Sequence, residues 1–224
     1  MTERQTTGRS YDRVAGEYAA QILGELKHKP FDRGMLDTFA ELVGSGRVAD
    51  VGCGPGHVGA YLADRGVRVV GLDLSPAMCS IALNTSSLPS CAGDMTALPL
   101  PSGALTGLVC FYAVIHLDSA QRAAAYREFA RVLGAGGVAL IAFHTSDSEN
   151  RTGESRRIDE WWGHDVGLTF HFLDADGEVL ELRDAGLQLI ARLDRSPHAR
   201  LEHESNRSYL FVRRLGVDAT KRLL

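Results

Sequence analysis

The residues best placed to do chemistry stand together in Asp50-Val51-Gly52-Cys53-Gly54-Pro55-Gly56-His57-Val58-Gly59. Glycines at this density let a backbone turn sharply and approach a ligand closely. The run leaves an apolar stretch and opens a segment with helical spacing, whose first N–H groups are free to meet a ligand. Gly54, Gly56 and Gly59 satisfy the G-x-G-x-x-G spacing. Asp73 stands 19 residues after Gly54 at the end of the next apolar run, where a carboxylate can hold ribose hydroxyls. The glycine string alone suits a nicotinamide dinucleotide as well. Two details favour another ligand. Asp50 puts at the mouth of the loop a carboxylate that repels a pyrophosphate and suits a cation, and Gly52 extends the pattern to Asp-x-Gly-x-Gly-x-Gly.

A second group follows two later apolar runs. Substrates of open α/β sheets bind beyond the carboxyl ends of the strands, which singles out Tyr112 and His116 after one run and His144 after the next. His144 directly follows a buried stretch and begins a polar segment, so it is expected to face a substrate and to act as base. Trp161-Trp162-Gly163-His164-Asp165 and Phe170-His171-Phe172 supply either an aromatic wall or the packing of a cap. No histidine pair has helical i, i+4 ligand spacing, and no metal is expected.

The elements that must position these residues alternate. Arg47 to Val51, Val67 to Leu72, Leu105 to Ile115 and Gly137 to Phe143 read as strands apolar on both faces; Val58 to Arg65, Pro76 to Asn84 and Ser119 to Leu133 read as helices. Asp118 or Ser119 caps the last, which ends at Gly134, Gly136 and Gly137. That order predicts a doubly wound α/β fold with a mostly parallel sheet. Ser10 to Lys27 and Phe31 to Val43 read as two helices ahead of the first strand, expected to form a lid. After a polar stretch, His144 to Asp165, with no clear period, a helix is expected over Asp174 to Ala185. Strands over Leu187 to Leu193 and Tyr209 to Val212 are joined too briefly for a crossover helix, which predicts a C-terminal antiparallel hairpin at the sheet edge.

Composition narrows the function classes. With 24 Lys and Arg against 28 Asp and Glu, the formal charge of the 224 residues is −4, which argues against a general nucleic-acid binder. Hydrophobic residues make up 45% and charged residues 23%, enough for one packed domain and unlike a disordered chain. No apolar run approaches a membrane span. Cys53, Cys79, Cys91 and Cys110 are too scattered for a disulfide framework and read as reduced thiols of a cytoplasmic protein. From Ala191 to Leu224, eight basic residues face four acidic ones, a local surplus that suits a solvated face or, less simply, an anionic substrate.

Together these motifs resemble the class I S-adenosylmethionine-dependent methyltransferases. Asp50 to Gly56 is similar to that family's first motif, Val70-Gly71-Leu72-Asp73-Leu74-Ser75 to its acidic strand end, Gly93-Asp94-Met95 to its adenine-binding turn, and Leu133-Gly134-Ala135-Gly136-Gly137 to the turn before the fifth strand. Tyr11-Asp12-Arg13-Val14-Ala15 with Tyr18 resembles the N-terminal helix that covers the cofactor. The sequence departs from the family at Gly134-Ala135, often Lys-Pro, and at Thr106-Gly107, often Phe-Asp.

The resemblance implies a seven-stranded sheet in one domain over 1–224: lid helices in 1–44, a cofactor-binding core in 45–143, a substrate cap in 144–172, and a C-terminal helix and hairpin in 173–224. It implies S-adenosyl-L-methionine as cofactor and S-adenosyl-L-homocysteine as product. Asp50 with Gly52, Gly54 and Gly56 would receive the methionine moiety, Asp73 the ribose, Leu74 and Met95 would sandwich the adenine, Asp94 would accept from its amine, and Tyr11 and Tyr18 would cover the site. His116 occupies a position where the family often has histidine whatever the substrate, which favours a structural or cofactor-side role for it. The expected activity is methyl transfer to oxygen or nitrogen of a small molecule, by a monomer or homodimer with no nucleic-acid or membrane partner. A cofactor-binding partner subunit without catalysis and a nicotinamide-dependent oxidoreductase are the alternatives.

Overall fold

The structure is a computed structural model that describes residues 2–198 and 202–216. It opens on α1 (Glu3–Ile22), seven residues earlier than the apolar pattern predicts, because Thr2 and Gln5 form a reciprocal capping box. A 3-10 turn, Glu25–His28, leads into α2 (Pro30–Val43), with proline in its first turn. There follow β1 (Arg47–Val51), α3 (His57–Ala63), β2 (Arg68–Asp73), α4 (Pro76–Ser86), β3 (Ser90–Ala92), β4 (Leu105–Phe111), α5 (Ser119–Val132), β5 (Leu133–Asp147), β6 (Ser155–Trp161), β7 (His164–His171), α6 (Ala175–Asp184), β8 (Leu187–Arg195) and β9 (Ser205–Arg214). Asp118, not Ser119, caps α5.

Seven strands form one sheet in the order β3-β2-β1-β4-β5-β9-β8. The first five are parallel, while β9 pairs antiparallel with both β5 and β8, so the expected hairpin lies at the edge with its second strand innermost. Both faces are covered, which is why these strands are apolar throughout. Leu108, Cys110, Ile141 and Leu210 pack with Tyr126 and Phe129 of α5 on one face; Val109, Phe111, Leu140 and Tyr209 pack with Leu36 and Phe39 of α2 and Leu62 of α3 on the other. Gly107 lets α2 press onto β4, since a Cβ there would lie 2.6 Å from Val43 and 2.7 Å from Phe39. The departure at Thr106-Gly107 is therefore accommodated by closer helix packing.

The polar stretch without a period is a second, two-stranded sheet of β6 and β7. Trp162 and Gly163, both with positive φ, turn the chain between them, as a tight hairpin requires. Its inner residues Val166 and Leu168 pack with Val14 of α1, so the hairpin and the N-terminal helix form one layer over the carboxyl end of the large sheet. Among the described residues, no helix is long and apolar enough to cross a membrane.

Candidate active site

A cleft with about 780 Å³ of empty space, its open mouth included, lies between that layer and the carboxyl ends of β1, β2 and β4. Its floor is the turn after β1. Gly52 has φ +72°, and a Cβ there would fall 2.2 Å from that of Ala113, so only glycine fits without displacing the next loop. The Gly54 N–H donates to Asp73 Oδ2 at 2.8 Å and the Ser75 N–H to Asp73 Oδ1 at 2.8 Å. Burial pushes the Asp73 carboxyl up, and these two backbone donors pull it back. At the adenine-turn motif, Asp94 Oδ1 accepts from the Thr96 N–H at 2.8 Å, and its Oδ2 accepts from Arg4 at 2.5 Å.

The roof is α1. Asp12 accepts from the Ser75 hydroxyl at 2.6 Å and the Ala77 N–H at 3.1 Å, docking α1 onto the start of α4. Ser10 accepts from the buried Gly167 N–H at 2.9 Å, joining α1 to β7. Tyr11 and Tyr18 meet edge to face at 5.6 Å and contact Trp161, which gives the tryptophan pair a packing role between helix and hairpin.

Tyr11, Tyr112 and His116 also line the cleft. The tautomer of His116 follows from its partners. A carbonyl only accepts, so Nδ1–H donates to the Thr169 carbonyl at 2.9 Å, and Nε2 accepts from the Tyr11 hydroxyl at 2.7 Å. Burial pushes the imidazole down to about 4 and keeps it neutral near pH 7, while the buried Tyr11 phenol is raised well above its usual value. Tyr112 has φ +55°, rare for a residue with a Cβ, and its hydroxyl donates to Asp32 Oδ2 at 3.2 Å and meets the Tyr209 hydroxyl at 3.0 Å.

Of the residues singled out from the sequence, Tyr11, Tyr18, Gly52, Gly54, Asp73, Leu74, Asp94, Met95, Tyr112 and His116 line this one cleft. His144, Asp50 and Gly56 do not. His144 stacks on the Tyr112 ring at 4.7 Å, with Nδ1 2.7 Å from the Ser205 hydroxyl. It lies within β5 rather than after it, because the strand runs on to Asp147, and it sits behind Tyr112, where burial pushes its pKa well down. Asp50 is 1% exposed. Its Oδ2 lies beneath the turn, 3.1 Å from where a Gly59 Cβ would stand, and burial pushes the carboxyl up to about 7. Its place is under the loop rather than against a ligand. Arg4 and Thr7 line the cleft and were not singled out, because the apolar pattern began α1 too late; the Thr2-x-x-Gln5 spacing was the available signal.

Residues 48–137 match a family model described as a methyltransferase domain. The chain is 28% identical over 155 residues to a malonyl-[acyl-carrier protein] O-methyltransferase of Serratia marcescens, covering 68% of this chain and 58% of that protein. It is 29% identical over 192 residues to phosphoethanolamine N-methyltransferase 1 of Arabidopsis thaliana, covering 83% of this chain and 36% of that one. The chain thus spans less than two thirds of the length of either relative. A solved structure from Thermotoga maritima, described as an S-adenosylmethionine-dependent methyltransferase and possible histamine N-methyltransferase, superposes with TM-score 0.66 at 16% identity, over 92% of this chain and 99% of that one. The chain carries a class I S-adenosylmethionine-dependent methyltransferase domain. The nicotinamide reading of the glycine string falls with that match.

The cleft of this methyltransferase domain fits its cofactor on its own geometry. Each Asp73 oxygen accepts one backbone N–H and keeps lone pairs for a ribose hydroxyl. Leu74 is 36% exposed despite being apolar, and with Met95 it faces the cleft where a flat adenine would lie. Asp94 would accept from the adenine amine, and the bare backbone of Gly52 and Gly54 beside Tyr18 would take the methionine end.

Proposed function

We propose that the protein transfers the methyl group of S-adenosylmethionine to an oxygen or nitrogen of a small molecule, releasing S-adenosylhomocysteine. The observation that carries this reading is one continuous cleft lined both by Asp73 and Asp94 and by the Tyr11–His116 pair with Tyr112. The bound cofactor supplies an electrophilic methyl group on a sulfonium, and the departing thioether is neutral, so no acid is needed for it. What remains for the chain is to hold the acceptor in line, exclude water and accept a proton when the acceptor carries one.

The roof of α1 and the β6–β7 hairpin serves the second task. Tyr11 and His116 serve the third: an acceptor proton passes to the Tyr11 oxygen as its own hydrogen moves to the neutral Nε2 of His116. Tyr112 shapes the acceptor's place, and His144 positions Tyr112 from behind. The same reading has the protein act in the cytoplasm, where its four free cysteines stay reduced. Incubation of a cell extract with the protein and methyl-labelled cofactor tests the acceptor class. Label is expected in the small-molecule fraction; label confined to RNA or protein contradicts the reading.

A further inference from the structure

Two buried thiols meet beneath the cofactor turn, and methyl transfer makes no use of them. Cys53 stands inside the turn between Gly52 and Gly54, and its N–H donates to the Leu72 carbonyl at 3.1 Å. Cys79 lies near the N-terminus of α4, directly after Met78, which lines the cleft. The two side chains are hydrogen-bonded to each other, and Cys53 packs against Ala82, one helical turn on from Cys79. Both thiols are free, at 3% and 8% exposure, whereas Cys91 on β3 is exposed. The pair brackets Asp73. Cys79 Sγ lies 3.9 Å from the Asp73 carbonyl oxygen, and the residue after Cys53, Gly54, donates its N–H to the Asp73 carboxylate at 2.8 Å.

Two thiols already in contact need only an oxidant to join them. The thiolate is the form that attacks a peroxide, and Cys79 is the better thiolate of the two. The hydrogen bond from Cys53 holds it below the usual thiol range against the opposing effect of burial, and the N-terminal end of the α4 dipole favours its negative charge. The same hydrogen bond, and then burial, push Cys53 up. We propose that Cys53 and Cys79 form a redox modification site, closed to a disulfide by hydrogen peroxide, and that closure lowers the affinity of the protein for its cofactor. The Cys79 sulfur takes one peroxide oxygen and becomes a sulfenic acid, while the other oxygen leaves as water; the Cys53 sulfur then attacks the Cys79 sulfur, forming the S–S bond and releasing the second oxygen as water. The two thiols together lose two electrons and two protons, which the peroxide takes up. A disulfide bond is far shorter than a hydrogen bond between thiols, so closure draws residue 53 toward α4. The turn yields at Gly52 and Gly54, whose φ values are +72° and +52°, and the Gly54 N–H is pulled from Asp73. The proposal uses the cofactor site on Asp73 and is independent of which acceptor is methylated.

The test treats the protein with hydrogen peroxide, alkylates the remaining thiols after denaturation and maps the unreduced peptides by mass spectrometry. A link between the peptides of Cys53 and Cys79 is expected in the unaltered protein and in Cys91→Ser, and none in Cys79→Ser. In a calorimeter the linked protein is expected to bind S-adenosylhomocysteine about tenfold more weakly, the worth of one charge-assisted hydrogen bond, with affinity restored by dithiothreitol. Cys79→Ser is expected to bind it equally before and after peroxide. Absence of the link, pairing with Cys91 or Cys110 instead, oxidation of Cys79 to the sulfinic acid without the link, or a linked protein of unchanged affinity overturns the inference. So does a loss of affinity in peroxide-treated Cys79→Ser equal to that of the unaltered protein. If the reduced protein fails to bind S-adenosylhomocysteine, the cofactor site on Asp73 falls, and the peptide map alone judges the disulfide: the link supports it and its absence overturns it. Should Cys79→Ser fail to fold, Cys79→Ala replaces it, and reversal by dithiothreitol in the unaltered protein decides without a variant.

Discussion

His116 shows how a single side chain is tuned by what surrounds it. Its Nδ1–H is fixed by a backbone carbonyl rather than a carboxylate, which offsets only part of the cost of charging it in a buried place, and its pKa falls to about 4. The consequence for stability has a definite sign. An unfolded histidine takes a proton near 6.5 and the folded one only near 4, so across that window the unfolded chain binds more protons and stability is lost as the pH falls. Asp50, raised to about 7, works in the opposite sense, which makes comparison with a variant the clean measurement. Relative to His116→Gln, the parent protein is expected to lose about 2 kcal/mol of unfolding free energy between pH 7 and pH 5, read from urea denaturation. Parallel pH curves for the two proteins would remove the basis for a neutral His116. The histidine itself was legible from its place after β4. Its partners were not: the Thr169 carbonyl is backbone, which no residue type announces, and Tyr11 is 105 positions away.

At the scale of elements, the lid depends on a few polar links between α1 and β7. The hydroxyl of Ser10 is the acceptor for the buried Gly167 N–H, 157 positions distant. Ser10→Ala leaves that N–H unsatisfied at a cost of about 1–3 kcal/mol, borne by the lid rather than by the large sheet. Amide exchange at Gly167 and along β7 is therefore expected to quicken severalfold while that of Ile141 in β5 is unchanged; uniform quickening through the sheet would mean that lid and core open together. The parallel strands were legible because burial on both faces leaves continuous apolar runs, as at Leu108 to Phe111. The β6–β7 hairpin was not, since its outer face is open to solvent and residues such as Arg157, Asp159 and Glu160 mask the period of two. The exposed Trp162 at its tip was read as a ligand wall or cap packing, where its positive φ makes it a turn residue.

Over the whole molecule, one division of labour organises the fold. The large sheet fixes the glycine turn, Asp73 and Asp94 from one side, and α1 with the hairpin closes the cleft from the other. The cofactor end of the site was readable because its motifs lie within about fifty residues, each carried by a residue type with one chemical use. The acceptor side was not, since it brings together Tyr11 of α1, Tyr112 and His116 after β4, and the Thr169 carbonyl of β7, which are far apart in the chain and carry no common motif. The central claim is that this cleft is an S-adenosylmethionine site organised on Asp73, and titration calorimetry with S-adenosylhomocysteine tests it most directly. The protein is expected to give a saturable one-to-one isotherm with S-adenosylhomocysteine and none with NAD, and Asp73→Asn to weaken binding by about tenfold to a hundredfold, the worth of a charge-assisted hydrogen bond. Absence of binding, binding of NAD in its place, or undiminished affinity in Asp73→Asn would contradict it.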